Sequence, residues 1–120
     1  MQKTSYIQSV LRYIEQCLTS KLDPESIAAQ HFVSLSQLYR DFYACTGHSV
    51  KEYIRKRRIS NACEKIKCSD MTLALIAEES GCQTQQAFHK QFKNIVGMTP
   101  LEYRQNDIYF YFYPFALNEI

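Results

Sequence analysis

The sequence predicts an all-helical fold in which about seven helices form two similar helix pairs joined by one long helix. Apolar residues recur at helical spacing along most of the 120-residue chain, and no segment before residue 107 alternates as a strand does. Residues that favour helix starts and stops separate these segments. Part of the pattern recurs after fifty residues, which is typical of a duplicated unit.

The first half of the chain predicts three helices, of which the second and third form a pair. The first covers about residues 5–19, with apolar residues along one face: Ile7, Val10, Leu11, Ile14 and Leu18. Asp23 as N-cap and Pro24 at the first helical position begin a second helix, which extends to about His31. Ser34 caps a third helix that Gly47 ends. Two short helices with a three-residue connection predict a helix-turn-helix unit.

The second half predicts a long fourth helix and three shorter ones. The fourth helix covers about residues 49–67, and its inward side is apolar: Val50, Tyr53, Ile54, Ala62 and Ile66. Asp70 or Thr72 caps a short fifth helix, which breaks at Gly81. The sixth helix covers about residues 84–96 and the seventh about residues 100–105.

A weak internal repeat relates the two halves of the chain. Six pairs of similar residues stand fifty positions apart: Ser34 and Thr84, Leu38 and Phe88, Arg40 and Lys90, Phe42 and Phe92, Gly47 and Gly97, Tyr53 and Tyr103. Ala28 matches Ala77 one residue out of step. The repeat predicts two helix-turn-helix subdomains, residues 1–47 and 69–106, with a linker helix at 48–68 and an aromatic tail at 107–120.

The positive charge is concentrated in one segment. The net charge is only +2, but half of the fourteen Lys and Arg residues lie between Lys51 and Lys67. Such a run is either a solvated helix face or a nucleic-acid contact. The chain has no apolar run long enough to cross a membrane and no secretion signal at its start, which predicts a cytoplasmic, nucleoid-associated protein.

The sequence offers no recognisable chemistry for catalysis. Its three histidines are scattered, no nucleophile has a partner, and no glycine-rich loop is present to hold a phosphate. The five cysteines are an odd number without a CxxC pair, which favours free thiols over disulfides or zinc. We therefore expect a protein that is not an enzyme and needs no metal or cofactor.

Two helix-turn-helix units predict binding to double-stranded DNA, because a helix fits the major groove, where base edges are distinguishable. A fourth helix of nineteen residues is about 28 Å long, so the third and sixth helices can enter successive major grooves and read two adjacent boxes. The candidate base-reading residues are the outward polar ones: Ser36, Gln37, Tyr39, Arg40, Gln85, Gln86, His89 and Lys90. The alternative is that these are ordinary solvated side chains.

Four further residues are candidates for contact with DNA phosphates. Ser34 and Thr84 stand at helix starts, where hydroxyl and backbone N–H groups can bind a phosphate or simply cap the helix. Arg55 and Lys56 lie on the linker helix. Arg57 and Arg58 flank the inward side, which is compatible with a structural role that bridges the two subdomains.

Two segments resemble signature motifs of the AraC/XylS family of bacterial transcription regulators. The first is Gly47-His48-Ser49-x-x-x-Tyr53-Ile54-Arg55-x-Arg57-Arg58-Ile59. The second is Ile76-Ala77-x-x-x-Gly81-x-x-x-Gln85-Gln86-x-Phe88-x-x-x-Phe92-Lys93-x-x-x-Gly97-x-Thr99-Pro100-x-x-Tyr103-Arg104. The Gly-His and Gln-Gln pieces are most similar to the Mar/Sox/Rob subgroup. The resemblance implies a regulator that binds promoter DNA as a monomer and activates transcription by contacting RNA polymerase.

The chain departs from this family at two positions in the first unit. Phe32 stands in the turn where the family usually has glycine, and a phenylalanine is unfavourable at positive φ, so we expect a rearranged turn. Ser36 stands where the subgroup tends to have tryptophan. The alternative function is therefore a degenerate helix-turn-helix module that binds RNA polymerase or another regulator instead of DNA.

The tail is outside the family resemblance and unusually aromatic. Six of the chain's sixteen Tyr and Phe residues lie between Tyr109 and Phe115. The preferred interpretation is that the tail begins a second, effector-binding domain, as in family members with the DNA-binding half first. The alternative is a tail that packs on the helices or forms a dimer contact.

Overall fold

Seven helices and no strand occur in the part of the chain that the computed structural model describes, residues 3–115. They are α1 (Lys3–Gln16), α2 (Pro24–Gln30), α3 (Leu35–Thr46), α4 (Val50–Cys68), α5 (Leu73–Glu78), α6 (Gln85–Val96) and α7 (Pro100–Gln105). The all-helical prediction is confirmed. Helix α1 ends earlier than predicted, in a closing turn where the Cys17 N–H is shared between the carbonyls of Tyr13 and Ile14, at 3.1 and 3.2 Å.

The chain divides into two compact units, one ending at Ile54 and resumed from Pro114, the other Arg55–Tyr113. The side chains buried in the first unit come from α1, the turn after it, α2, α3 and the start of α4: Tyr6, Ile7, Val10, Leu11, Ile14, Leu18, Ile27, Ala28, Leu38, Phe42, Val50, Tyr53 and Ile54. Those buried in the second come from α4–α7: Ile59, Ala62, Cys63, Ile66, Ile76, Ala77, Phe88, Phe92 and Tyr103. Each unit therefore has an apolar core of its own.

The internal repeat appears as the same local structure in both units. The hydroxyl of Ser34 accepts the Gln37 N–H at the start of α3, and that of Thr84 accepts the Ala87 N–H at the start of α6. Each helix ends at a left-handed glycine, with φ of 76° at Gly47 and 91° at Gly97. The three large apolar pairs of the repeat are buried in both units: Leu38 and Phe88, Phe42 and Phe92, Tyr53 and Tyr103. The prediction of two helix-turn-helix units is confirmed.

Two helix caps differ in detail from the prediction. Thr72, and not Asp70, caps α5, since its hydroxyl accepts the Leu75 N–H at 3.2 Å. Asp23 occupies the N-cap position of α2 but makes no side-chain cap bond, because its carboxylate instead accepts the Ser26 hydroxyl at 3.0 Å.

The turn between α2 and α3 is not rearranged, so that expectation was wrong. Phe32 takes the left-handed conformation, with φ of 58°, and its side chain is 95% exposed. The N–H groups of Phe32 and Val33 donate to the carbonyls of Ala29 and Ala28, each at 3.1 Å. These are the two bonds of a Schellman motif. Backbone hydrogen bonds therefore hold the turn in the conformation that glycine would adopt.

The tail lies extended against its neighbours through residue 115. In the second unit, Phe110 N–H donates to the Tyr103 hydroxyl at 2.8 Å and Phe112 N–H to the Ser60 hydroxyl at 2.9 Å. In the first unit, Phe115 N–H donates to the Tyr53 hydroxyl at 2.9 Å. Through residue 115 the tail therefore packs on the helices, as the alternative interpretation predicted.

We expect Phe32→Gly to raise the free energy of unfolding by about 1 kcal/mol, because it relieves the left-handed strain and the exposed ring contributes little packing. Urea unfolding followed by circular dichroism measures the change. Phe32→Ala is the matched control, since it removes the ring but keeps the Cβ, and it should leave stability near that of the wild type. Equal stabilisation by both variants would assign the effect to the ring and contradict the backbone explanation.

We expect the packed tail to resist chymotrypsin and Ser60→Ala to speed cleavage at its aromatic residues. The substitution removes a hydrogen bond worth about 1 kcal/mol, which corresponds to roughly a fivefold larger open population. Mass spectrometry of timed digests measures the rate, and Ser9→Ala on α1 is the control. A wild-type tail cut as fast as an unfolded peptide would contradict packing.

Candidate nucleic-acid interface

The outward side of α3 carries the four candidate base readers of the first unit. Ser36 and Arg40 are exposed and Gln37 and Tyr39 are half-buried. Leu38 and Phe42, one turn apart on the opposite side, are fully buried. Because residues three and four apart share a helix face, this burial turns the four polar side chains away from the core. They are defined here as the α3 face.

Two members of the α3 face are hydrogen-bonded to each other and to the protein beneath them. Arg40 Nη2 donates to Gln37 Oε1 at 3.1 Å, and Gln37 Nε2 donates to Asp41 Oδ2 at 2.9 Å. The Tyr6 hydroxyl, from α1, donates to the same carboxylate oxygen at 2.7 Å. Burial, and then the bond to Asp41, raises the pKa of Tyr6. An ordered polar network therefore reaches from the core to the outer surface of α3.

Sequence reasoning missed Asp41 and Tyr6. Asp41 is 4% exposed and lies on the inward side of α3, next to the apolar Phe42. A carboxylate at an inward helical position is a signal that was available in the sequence, because burying it is costly unless donors surround it. The donor from α1 was not available, since Tyr6 precedes Asp41 by thirty-five residues.

The outward side of α6 carries the other four candidates, and all of them are exposed: Gln85, Gln86, His89 and Lys90. Phe88 and Phe92 are buried on the opposite side. His89 Nδ1 lies 2.8 Å from the Gln85 carbonyl oxygen, which can only accept, so Nδ1 carries the proton. The Nε2 atom of a neutral His89 is then an acceptor. These four residues are defined here as the α6 face.

The two capping hydroxyls lie at the exposed starts of these helices. Ser34 Oγ accepts the Gln37 N–H at 3.1 Å and Thr84 Oγ1 accepts the Ala87 N–H at 2.9 Å. Both side chains are exposed and both hydroxyls keep a proton to donate. The capping role is thus observed, and it is compatible with donation to a phosphate.

The basic run on α4 divides into outward and structural residues. Arg55 is exposed, whereas Arg57 is 4% exposed and its Nη1 donates to the Phe112 carbonyl at 2.5 Å. Lys56 is half-buried, with its ammonium 5.6 Å from the centre of the Phe112 ring. Lys67 lies over the Tyr103 ring at 4.3 Å. Arg57 is therefore a buried structural residue within its own unit, and Arg58 is half-buried. The number of cations in this run is larger than the number that are exposed on α4.

Other chemistry finds little support in residues 3–115. No group of three or more His, Cys, Asp or Glu residues there could hold a metal ion. None of the five cysteines, all of which lie in this part of the chain, forms a disulfide, and burial raises the pKa of Cys63 to about 12. No helix in this part of the chain is both long and apolar enough to cross a bilayer.

Known proteins are similar to this chain in sequence and in fold. A family model described as a helix-turn-helix domain matches residues 27–106. The multiple antibiotic resistance protein MarA of Escherichia coli K12 is 34% identical over 85% of this chain and 80% of its own length. The transcriptional activator AarP of Providencia stuartii is 33% identical over 88% of this chain and 78% of its own. The DNA-binding domain of AdpA, solved with a target DNA, covers 82% of this chain and 89% of its own with a TM-score of 0.79. At its 23% identity this last likeness concerns the fold.

The fold and the two exposed helix faces define a tandem helix-turn-helix protein of the DNA-binding class. The chain belongs to the AraC/XylS family of transcription regulators. It is accordingly a DNA-binding transcription regulator and not an enzyme. The resemblance seen in the two sequence motifs is thereby confirmed.

Proposed function

We propose that the chain binds promoter DNA as a monomer, inserts α3 and α6 into successive major grooves, and activates transcription through contact with RNA polymerase. The observation that carries the proposal is the duplicated outward face. In each unit, two buried side chains one turn apart anchor the candidate helix, α3 or α6, to the core. Each helix also exposes a cation at the same position of the repeat, Arg40 in α3 and Lys90 in α6. Two reading helices in one chain replace the two subunits that a single helix-turn-helix unit requires.

Base readout is assigned to the α3 and α6 faces. Arg40 and Lys90 are suited to guanine, whose O6 and N7 both accept, and Gln86 is suited to adenine, which presents one donor and one acceptor. His89 offers Nε2 as an acceptor to a base amino group. Ser36, Tyr39 and Gln85 complete the proposed contacts, and the part played by Gln37 is taken up below.

Phosphate contacts orient the protein on the duplex. Ser34 and Thr84 each combine an exposed hydroxyl with the positive end of a twelve-residue helix, which favours an anion. Arg55 is exposed, and Lys56 is half-buried with its ammonium over the Phe112 ring of the tail. These contacts supply the affinity that is independent of sequence.

Monomeric binding and contact with RNA polymerase are supported by the resemblance to the Mar/Sox/Rob subgroup. The relative AarP carries the name of a transcriptional activator. We therefore place the protein in the cytoplasm, associated with the DNA of the bacterial nucleoid. Because the tail packs on its own chain through residue 115, the proposal needs no tail-mediated dimer.

Selection from a randomised duplex pool tests the proposal. We expect the full chain to select a site of two short boxes about one helical turn, or ~10 base pairs, apart. Arg40→Ala should then relax the first box and Gln86→Ala the second, each with about a tenfold loss of affinity or more. Arg12→Ala on α1 is the control, since Arg12 is exposed but outside both faces. Equal binding to every duplex would reduce the interaction to phosphate attraction, and no binding would favour a protein-interaction module.

The salt dependence of binding tests the phosphate contact of Arg55. Removing one cation that neutralises a phosphate lowers the slope of log affinity against log salt by about 0.9. We expect Arg55→Ala to show this change without a change in base preference. Arg12→Ala alters the net charge equally and should leave the slope nearly unchanged. Equal slopes for both variants would place Arg55 outside the interface.

A further inference from the structure

We propose that Gln37 does not read a base but positions the guanidinium of Arg40, through a hydrogen-bonded relay that begins at Tyr6 and Asp41. The proposal rests on the function proposed above and assigns specificity in the first box to a network rooted in the core. It would make Gln37, Asp41 and Tyr6 positioning residues and Arg40 the residue in contact with DNA.

Both ends of the Gln37 amide are used inside the protein. A carboxylate can only accept, so the end that faces Asp41 Oδ2 at 2.9 Å is the NH₂ group. The carbonyl end then faces Arg40 Nη2, which donates to it at 3.1 Å. A glutamine that reads adenine uses both its carbonyl and its NH₂ on the base. Each end of the Gln37 amide keeps one further hydrogen-bonding site, but the bonds to Asp41 and Arg40 fix the direction of the amide inside the protein rather than on a base.

The bond to Asp41 is costly to give up because the carboxylate is buried. Asp41 is 4% exposed, and its Oδ2 also accepts the Tyr6 hydroxyl at 2.7 Å. Withdrawing a donor from a buried charged acceptor costs more than a solvated hydrogen bond returns. The carboxylate therefore holds Gln37 in one orientation.

The relay leaves Arg40 equipped to read guanine. A guanidinium has five N–H donors, and the bond to Gln37 uses one of them on Nη2. Two of those that remain suffice for O6 and N7 of guanine. Fixing the side chain before binding removes part of the entropy cost of ordering it, which is worth about three- to tenfold in affinity.

The second unit provides an internal contrast. Ala87 stands fifty positions after Gln37, and Gln91 fifty positions after Asp41, so neither the amide nor the carboxylate is repeated. Lys90 takes the place of Arg40. The relay is thus a property of the first unit, and changing it should affect only the first box.

A double-mutant cycle on the full chain tests the relay, with the site selected by the wild type as the probe. We expect Gln37→Met, which keeps the side-chain volume, to weaken binding about three- to tenfold. The loss should fall on the base pair that Arg40→Ala affects. In the Arg40→Ala background Gln37→Met should have no further effect, because the two residues act as one. With Lys90→Ala its effect should be fully additive.

A second variant cuts the relay where no DNA contact is possible. Tyr6→Phe combined with Asp41→Leu replaces both buried partners by apolar groups, which is compatible with folding. We expect the same loss of guanine preference at the Arg40 base pair, with thermal unfolding still cooperative. Three outcomes would overturn this inference but not the proposed function. They are a loss at a different base pair, additive effects of Gln37→Met and Arg40→Ala, and an unchanged guanine preference in the Tyr6→Phe, Asp41→Leu double variant. A wild type that selects no site would instead overturn the proposed function.

Discussion

The direction in which α3 and α6 each face depends on the burial of two large apolar side chains one helical turn apart. These side chains are Leu38 and Phe42 on the inner side of α3, and Phe88 and Phe92 on the inner side of α6, and all four are almost completely buried. Each such burial is worth about 1.5–3 kcal/mol, against about 1 kcal/mol for a helix cap. Packing therefore sets the rotation of each helix about its axis, and the caps set where the helix begins.

Polar groups of the core and of the outer surface are linked through α3. A buried carboxylate is unfavourable unless donors surround it, and Asp41 receives them from Tyr6 in α1 and from Gln37 on its own helix. The constraint that stabilises the carboxylate also restrains the side chain that contacts Arg40. The same packed unit thus provides both a stable helix and an ordered outer surface.

Charge on α4 serves two purposes. The buried Arg57 needs an acceptor, and the tail supplies the Phe112 carbonyl, while Lys67 lies against the Tyr103 and Tyr109 rings at 4.3 and 4.7 Å. The aromatic tail is therefore a structural partner of the basic helix. Exposure, rather than charge, distinguishes Arg55 as a candidate for DNA contact.

The sequence by itself determined the seven helices, the duplicated unit, the outward faces of α3 and α6, and the family. These features follow from local rules, since caps, left-handed glycines and apolar spacing act within a few residues. The turn at Phe32 was misjudged, because hydrogen bonds to Ala28 and Ala29 outweigh the cost of its positive φ. Only the tertiary structure decided which cations of α4 are buried, where the tail lies, and that Gln37 is bonded at both ends. Those outcomes depend on groups far apart in the chain, such as Tyr6 and Asp41 or Arg57 and Phe112, which only folding brings within hydrogen-bond distance.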